Sequence, residues 1–102
     1  MKKYQVSYLP LFDKDLAEAW HYIAKKLQNP EAADNLVTDV EAAILKRLNA
    51  LESFGPYRSA KERKYPYYRI YVKNFSVFYV VIGDVVEVRR FLYQRRNLHE
   101  LL

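Results

Sequence analysis

The chain has 102 residues, a net charge of +5 and 51% hydrophobic residues, which is enough for one small domain with a buried core but not for two. Cysteine is absent, so disulfides, thiol catalysis and thiolate metal sites are excluded, and two glycines with four prolines exclude collagen-like or linker-like chains. Residues 1–56 carry seven bases and eight acids, residues 57–102 ten bases and four acids, so all the excess positive charge lies in the second half, together with most of the tyrosines.

A basic, aromatic-rich half attracts polyanions; the plainer reading is a solubilising face. His21 and His99 are too few for a histidine-rich metal site. No secretory signal follows Met1-Lys2-Lys3-Tyr4, and no run reaches the roughly 18–20 apolar residues that span a bilayer. A cytoplasmic protein with no membrane contact is expected, as one domain over residues 1–102.

In chain order, residues 3–9 read as a short strand that ends at Pro10. Leu16, Trp20, Ile23 and Leu27 then recur on one stripe of a helix, with Asp13 and Asp15 suited to the positive end of its dipole and Lys25 and Lys26 to the other end. Asn29-Pro30-Glu31 starts a second helix as cap, first residue and first-turn acid. Leu36, Val40, Ile44, Leu48 and Leu51 give it an apolar stripe, and Gly55-Pro56 is expected to stop it, with Gly55 in the left-handed conformation. So short a link makes the two helices an antiparallel hairpin. Residues 57–66 are polar and basic and read as a loop with at most one short strand.

Three strands follow, over residues 67–73, 75–82 and 85–93, rich in valine, tyrosine and phenylalanine. Gly83-Asp84 is a tight hairpin signal and Lys73-Asn74 a weaker one. The expected fold is therefore α+β: an N-terminal strand, an antiparallel two-helix hairpin, then a three- to four-stranded antiparallel sheet covered on one face.

Counting back from the two turns pairs Tyr79 with Val88, Phe78 with Arg89, and Arg69 with Phe78. That register sends Ile70, Val72, Phe75, Val77, Tyr79, Val81, Val86, Val88 and Leu92 toward the helices. The other face receives Arg69, Tyr71, Lys73, Ser76, Phe78, Val80, Glu87, Arg89, Phe91 and Tyr93. Arg90 falls on the helix side and is expected at the edge, its charge reaching water. A face of alternating arginine and aromatic side chains suits nucleic acid, through bidentate phosphate contacts and base stacking. It equally suits a protein partner, since arginine and aromatics dominate interface hot spots. The chain's own tail folding over the face is the third reading. No glycine-rich phosphate loop or nucleophile-elbow serine is present, and no cofactor or metal is expected.

The order of elements, the length and the local patterns resemble the RelE/ParE superfamily, the toxins of type II toxin–antitoxin modules. The resemblance runs over nearly the whole chain. It is carried by Asp15-Leu16, Tyr22-Ile23, the stretch Asn29 to Ala33, Tyr68 to Val72, Phe75 to Val81, and Val86 to Arg96. It implies a cognate antitoxin whose disordered segment orders on the toxin and neutralises it. It also implies one of two targets: DNA gyrase for ParE-like members, or mRNA in the ribosome for RelE-like members, which cut it. By position, Arg69 matches a basic residue of a RelE-like sheet, and Arg95 or Arg96 an arginine after the last strand. Tyr71 stands where a second basic residue belongs and Ser76 where a central arginine does; serine supplies no fixed positive charge to a developing phosphorane. Arg69, Tyr93 and Arg95 are the catalytic candidates, with His99 as another possible acid. Arg69, Tyr71, Lys73, Phe78, Arg89, Phe91, Tyr93, Arg95 and Arg96 form the candidate binding face for antitoxin or target. The weak nuclease set and the long paired helices favour a ParE-like gyrase inhibitor. The alternatives are a RelE-like ribosome-dependent endonuclease and a degenerate, non-catalytic binding module.

Overall fold

The computed structural model describes residues 3–56, 64–94 and 102. The order is β1 (Gln5–Tyr8), α1 (Pro10–His21), a π-helical turn (Tyr22–Lys26), α2 (Pro30–Leu48), a 3-10 turn (Leu51–Ser53), β2 (Tyr68–Val72), β3 (Phe75–Ile82) and β4 (Val85–Tyr93). The sheet order is β1-β4-β3-β2. β2, β3 and β4 are antiparallel as expected, but β1 lies parallel to β4, so the sheet is mixed. Two hairpins return β4 to the direction of β2, and the helical connection between β1 and β2 leaves those two strands running the same way.

α2 begins as its sequence dictates. The Asn29 side chain accepts from the Ala32 N–H at 3.1 Å, with Pro30 in the first turn. Leu36, Val40 and Ile44 are buried against the sheet. Its end differs from expectation. The helix stops at Leu48 with Asn49 in right-handed geometry, and Gly55 lacks the positive φ expected of it. The 3-10 turn takes up the direction change and buries Leu51.

In α1 the buried residues are Phe12, Asp15 and Ala19, flanked by the half-buried Leu16 and Ile23. The π turn adds a residue to the last winding, so Leu27 leaves the predicted stripe and is exposed. Trp20 is half-buried, and its indole N–H donates to Asp34 on α2 at 2.9 Å.

Both turns have positive φ at their first central residue, Lys73 at 53° and Gly83 at 63°. A side chain added at Gly83 would meet no atom within 4 Å. Gly83→Ala is therefore expected to cost only the left-handed backbone penalty, about 1 kcal/mol. Urea denaturation should show a lower midpoint with an unchanged slope.

Helices and sheet are also joined by Arg47. Its guanidinium lies 3.5 Å from the Phe54 ring centroid and donates to the Tyr79 hydroxyl at 3.0 Å. Burial raises the Tyr79 hydroxyl above its ordinary 10.0, and the Arg47 hydrogen bond only partly offsets this. A raised folded-state value means that this group's stabilisation is complete below the unfolded value and is lost as pH rises through the folded one. Tyr79→Phe should make the alkaline limb of a stability–pH profile shallower.

Candidate functional site

The register of β4 decides which side chains share a face. From Gly83-Asp84 the pairing follows expectation through Tyr79 opposite Val88. A bulge then intervenes, and Phe78 pairs with Arg90 instead of Arg89. One extra residue reverses the in–out alternation beyond it. Phe91 thus turns to the helix side and is buried there, while Leu92 turns to the opposite side. Both placements correct the expected register. Tyr93 also moves to the helix side, where it meets Phe75 with centroids 5.6 Å apart.

The bulge is held from α1. Asp15 accepts from Arg90 Nε at 2.8 Å, from Arg90 Nη2 at 3.1 Å and from the Phe91 N–H at 3.0 Å. The Asp15 and Arg90 side chains are only 7% and 16% exposed. Arg90 is therefore paired inside the protein, not projected into water. The Asp15 hydrogen bond holds the Arg90 guanidinium above its ordinary value against the opposing effect of burial. Asp15 serves β4, not the helix dipole.

The opposite face of the sheet is less open than its sequence suggests. Tyr67, Phe78, Val80 and Leu92 form a second small core, with Tyr65, Ile82 and Leu102 packed on it. Phe78 is 0% exposed, so it supports the face and offers no contact surface. Arg69 lies on this support. Its Nε donates to Ser76 Oγ at 2.8 Å, and its guanidinium carbon sits 4.5 Å from the Tyr71 ring centroid and 5.4 Å from that of Phe78. Tyr71 is 65% exposed.

Arg89 lies 5.9 Å from the Tyr67 centroid and pairs with Glu87 at 2.8 Å. Burial pulls its guanidinium down, but hydrogen bonds with Tyr67 and Glu87 outweigh that and leave it above its ordinary value. Arg69, Tyr71 and Arg89 thus share one face, away from the helices.

The other candidates are placed elsewhere. Lys73 occupies the β2–β3 turn, with Nζ 3.0 Å from Asp39 on α2. Arg95, Arg96 and His99 lie outside the described residues. His21 is exposed on α1, its ring edge-on to Trp20.

Chemically, among the described residues, the face presents the guanidinium groups of Arg69 and Arg89, the exposed phenol of Tyr71 and the Glu87 carboxylate that Arg89 already engages. Ser76, at 0% exposure, lies beneath Arg69. Among the described residues no group of three histidine, cysteine or carboxylate side chains is suited to a metal, and no helix is long and apolar enough to cross a membrane.

No curated protein matches the sequence. Solved structures do match the fold. The chromosomal ParDE toxin–antitoxin system of P. aeruginosa aligns with a TM-score of 0.65 and 21% identity, over 88% of this chain and 95% of that one. The RelB–RelE antitoxin–toxin complex of Methanococcus jannaschii gives 0.52 and 23%, over 94% and 98%. YafQ of E. coli strain BL21(DE3) gives 0.53 and 14%, over 90% and 94%. At these identities the likeness establishes the fold. The family model for the ParE toxin of the type II toxin–antitoxin system parDE matches residues 6–98. With nearly the whole chain inside that match, the protein belongs to the ParE toxin family, within the RelE/ParE superfamily of type II toxins.

Proposed function

We propose that the chain is a ParE-like toxin that arrests DNA gyrase through a protein contact, without nuclease chemistry, and is neutralised by a cognate antitoxin. The supporting observation is Ser76. Where a RelE-like sheet carries a central arginine, this chain has a buried serine whose hydroxyl accepts from Arg69. In-line RNA cleavage needs charge stabilisation at the phosphate and proton transfer at both oxygens. Among the described residues of this face there is no histidine, and the Glu87 carboxylate is engaged by Arg89. Tyr71 over Arg69 instead resembles a protein hot spot: a rigid aromatic backed by a guanidinium.

A RelE-like ribonuclease is the second reading, because Arg69, Glu87 and Arg89 do place two cations and a carboxylate on one face. Purified protein is expected to inhibit gyrase supercoiling and to leave mRNA intact in a translating extract. Ribosome-dependent cleavage that disappears in Arg69→Ala would replace the gyrase reading with the nuclease one. Harmless overproduction without antitoxin would favour a degenerate binding module.

A further inference from the structure

β2 is an outer strand of the sheet, and among the described residues no strand pairs with its far side. In an antiparallel ladder, alternate N–H and C=O groups of such a strand point away from the sheet. Proteins usually blunt an edge of this kind with proline, a bulge or an inward-pointing charge. β2 has none of these. Tyr68–Val72 pairs with β3 at five consecutive positions without a bulge, and its one charge, Arg69, lies on the face away from the helices.

The residue pattern of β2 is complementary to itself. A second copy, related by a two-fold axis along the sheet normal, would add its β2 antiparallel to the first and keep both helical layers on one side. Directly opposed residues of an antiparallel pair share a face, so the axis must pass through a residue and not between two. Three such centres lie inside the strand. An axis at Arg69 opposes guanidinium to guanidinium. An axis at Tyr71 opposes Arg69 to Lys73. An axis at Ile70 opposes Arg69 to Tyr71 twice and Tyr68 to Val72 twice, with Ile70 meeting itself. That register uses all five residues and sets no like charges opposite each other.

The side chains suit it. Tyr71 is 65% exposed, and the Arg69 guanidinium carbon already sits 4.5 Å from its ring centroid. Across the axis, rings and guanidinium groups would alternate over both strands on the open face. On the helix side, Tyr68, Ile70 and Val72 already belong to the main core and would continue it into the second copy.

α2 has a matching flank. Lys73 binds Asp39 at one end of β2, and Arg47 binds Tyr79, the cross-strand partner of Tyr68, at the other. α2 therefore runs antiparallel to β2 above it. Lys46 is exposed two turns beyond Asp39 on the same side of the helix. The two-fold axis sets the two α2 helices antiparallel, which brings Lys46 of each copy toward Asp39 of the other.

We propose that β2 pairs with β2 of a second copy, centred on Ile70, to form a homodimer with one continuous eight-stranded sheet. The dimer carries two Arg69–Tyr71 pairs on a single surface. A five-residue pairing is a small interface, so its dissociation constant is expected in the micromolar range. This inference goes beyond the toxin reading and does not depend on it.

Sedimentation velocity of the full chain, from low to several hundred micromolar, tests it. The unaltered chain is expected to shift from the mass of one chain to that of two. Tyr71→Lys sets a second cation opposite Arg69 at both symmetric positions and is expected to weaken the dimer about tenfold or more. Because Tyr71 is exposed, thermal unfolding should show that this variant is folded. Combining Arg69→Glu with Tyr71→Lys restores opposite charges in the Ile70 register and should recover the affinity. A chain that stays monomeric at every concentration overturns the proposal. A dimer unaffected by Tyr71→Lys overturns β2 as the interface. Weakening by Tyr71→Lys that the double variant does not recover overturns the Ile70 register.

Discussion

Asp15→Ala is expected to destabilise the protein by about 3 kcal/mol or more, the largest single effect on stability predicted for this chain. The variant removes three hydrogen-bond acceptances at once, from Arg90 Nε, Arg90 Nη2 and the Phe91 N–H. Arg90 would keep its charge at a site where it is only 16% exposed. An unpaired charge there costs far more than the pair contributes in net terms. Asp15→Asn should be damaging too, because an amide accepts at one atom only and has no charge to offset the guanidinium. Asp15→Leu combined with Arg90→Met removes both charges and should recover much of the loss. Chemical denaturation of the single and double variants measures this. If Asp15→Ala alone cost less than about 1 kcal/mol, the pair would be ordinary surface decoration, not the clamp on β4. A solution structure of the double variant adds a second readout: without the clamp, the bulge should relax and Phe91 and Leu92 should exchange faces.

The same clamp explains what could be read from the residues and what could not. The strand–helix–helix–strand order follows from Asn29-Pro30, the four-residue apolar spacing of α2 and the Gly83-Asp84 turn, all of which act locally. The β2–β3 register follows from the Lys73-Asn74 turn and holds at every pair. The bulge leaves no local signature: Arg89-Arg90-Phe91 contains neither glycine nor proline. Its cause lies 75 residues away in Asp15, which by spacing alone looks like a first-turn acid on a helix. Everything beyond the bulge is therefore displaced by one position, and Phe91 and Tyr93 fall on the wrong face. Arg69 and Tyr71, on the regular β2–β3 ladder, and Arg89, the residue added at the bulge, keep the side of the sheet that the turns assign them. The one available hint was Arg90, a charge assigned to a buried face with no partner in view. A charge in that position calls for a counter-charge on the covering helix, and Asp15 is the acid buried in α1.

Arg69→Lys is expected to preserve the fold and yet reduce gyrase inhibition about tenfold or more, if the face acts as proposed. Lysine keeps the charge but loses the planar fork. Arg69 uses that plane against Tyr71 and Phe78 while its Nε reaches Ser76 Oγ. An ammonium cannot do all of this at once, so Tyr71 would lose the cation held against its ring. The stability cost should stay near 1 kcal/mol, because a serine hydroxyl can reorient. Tyr71→Ala provides the complement: at 65% exposure it should barely move the unfolding midpoint, while inhibition falls as far as in Arg69→Lys. Supercoiling titrations, with growth arrest on induction as the cellular readout, separate two mechanisms. Full activity in Arg69→Lys together with strong salt sensitivity would mean that the face acts as a diffuse positive field, as contact with a polyanion requires. Loss in both variants with little salt dependence would mean that the aromatic–guanidinium pair is recognised as a shape, which is the behaviour of a protein–protein hot spot.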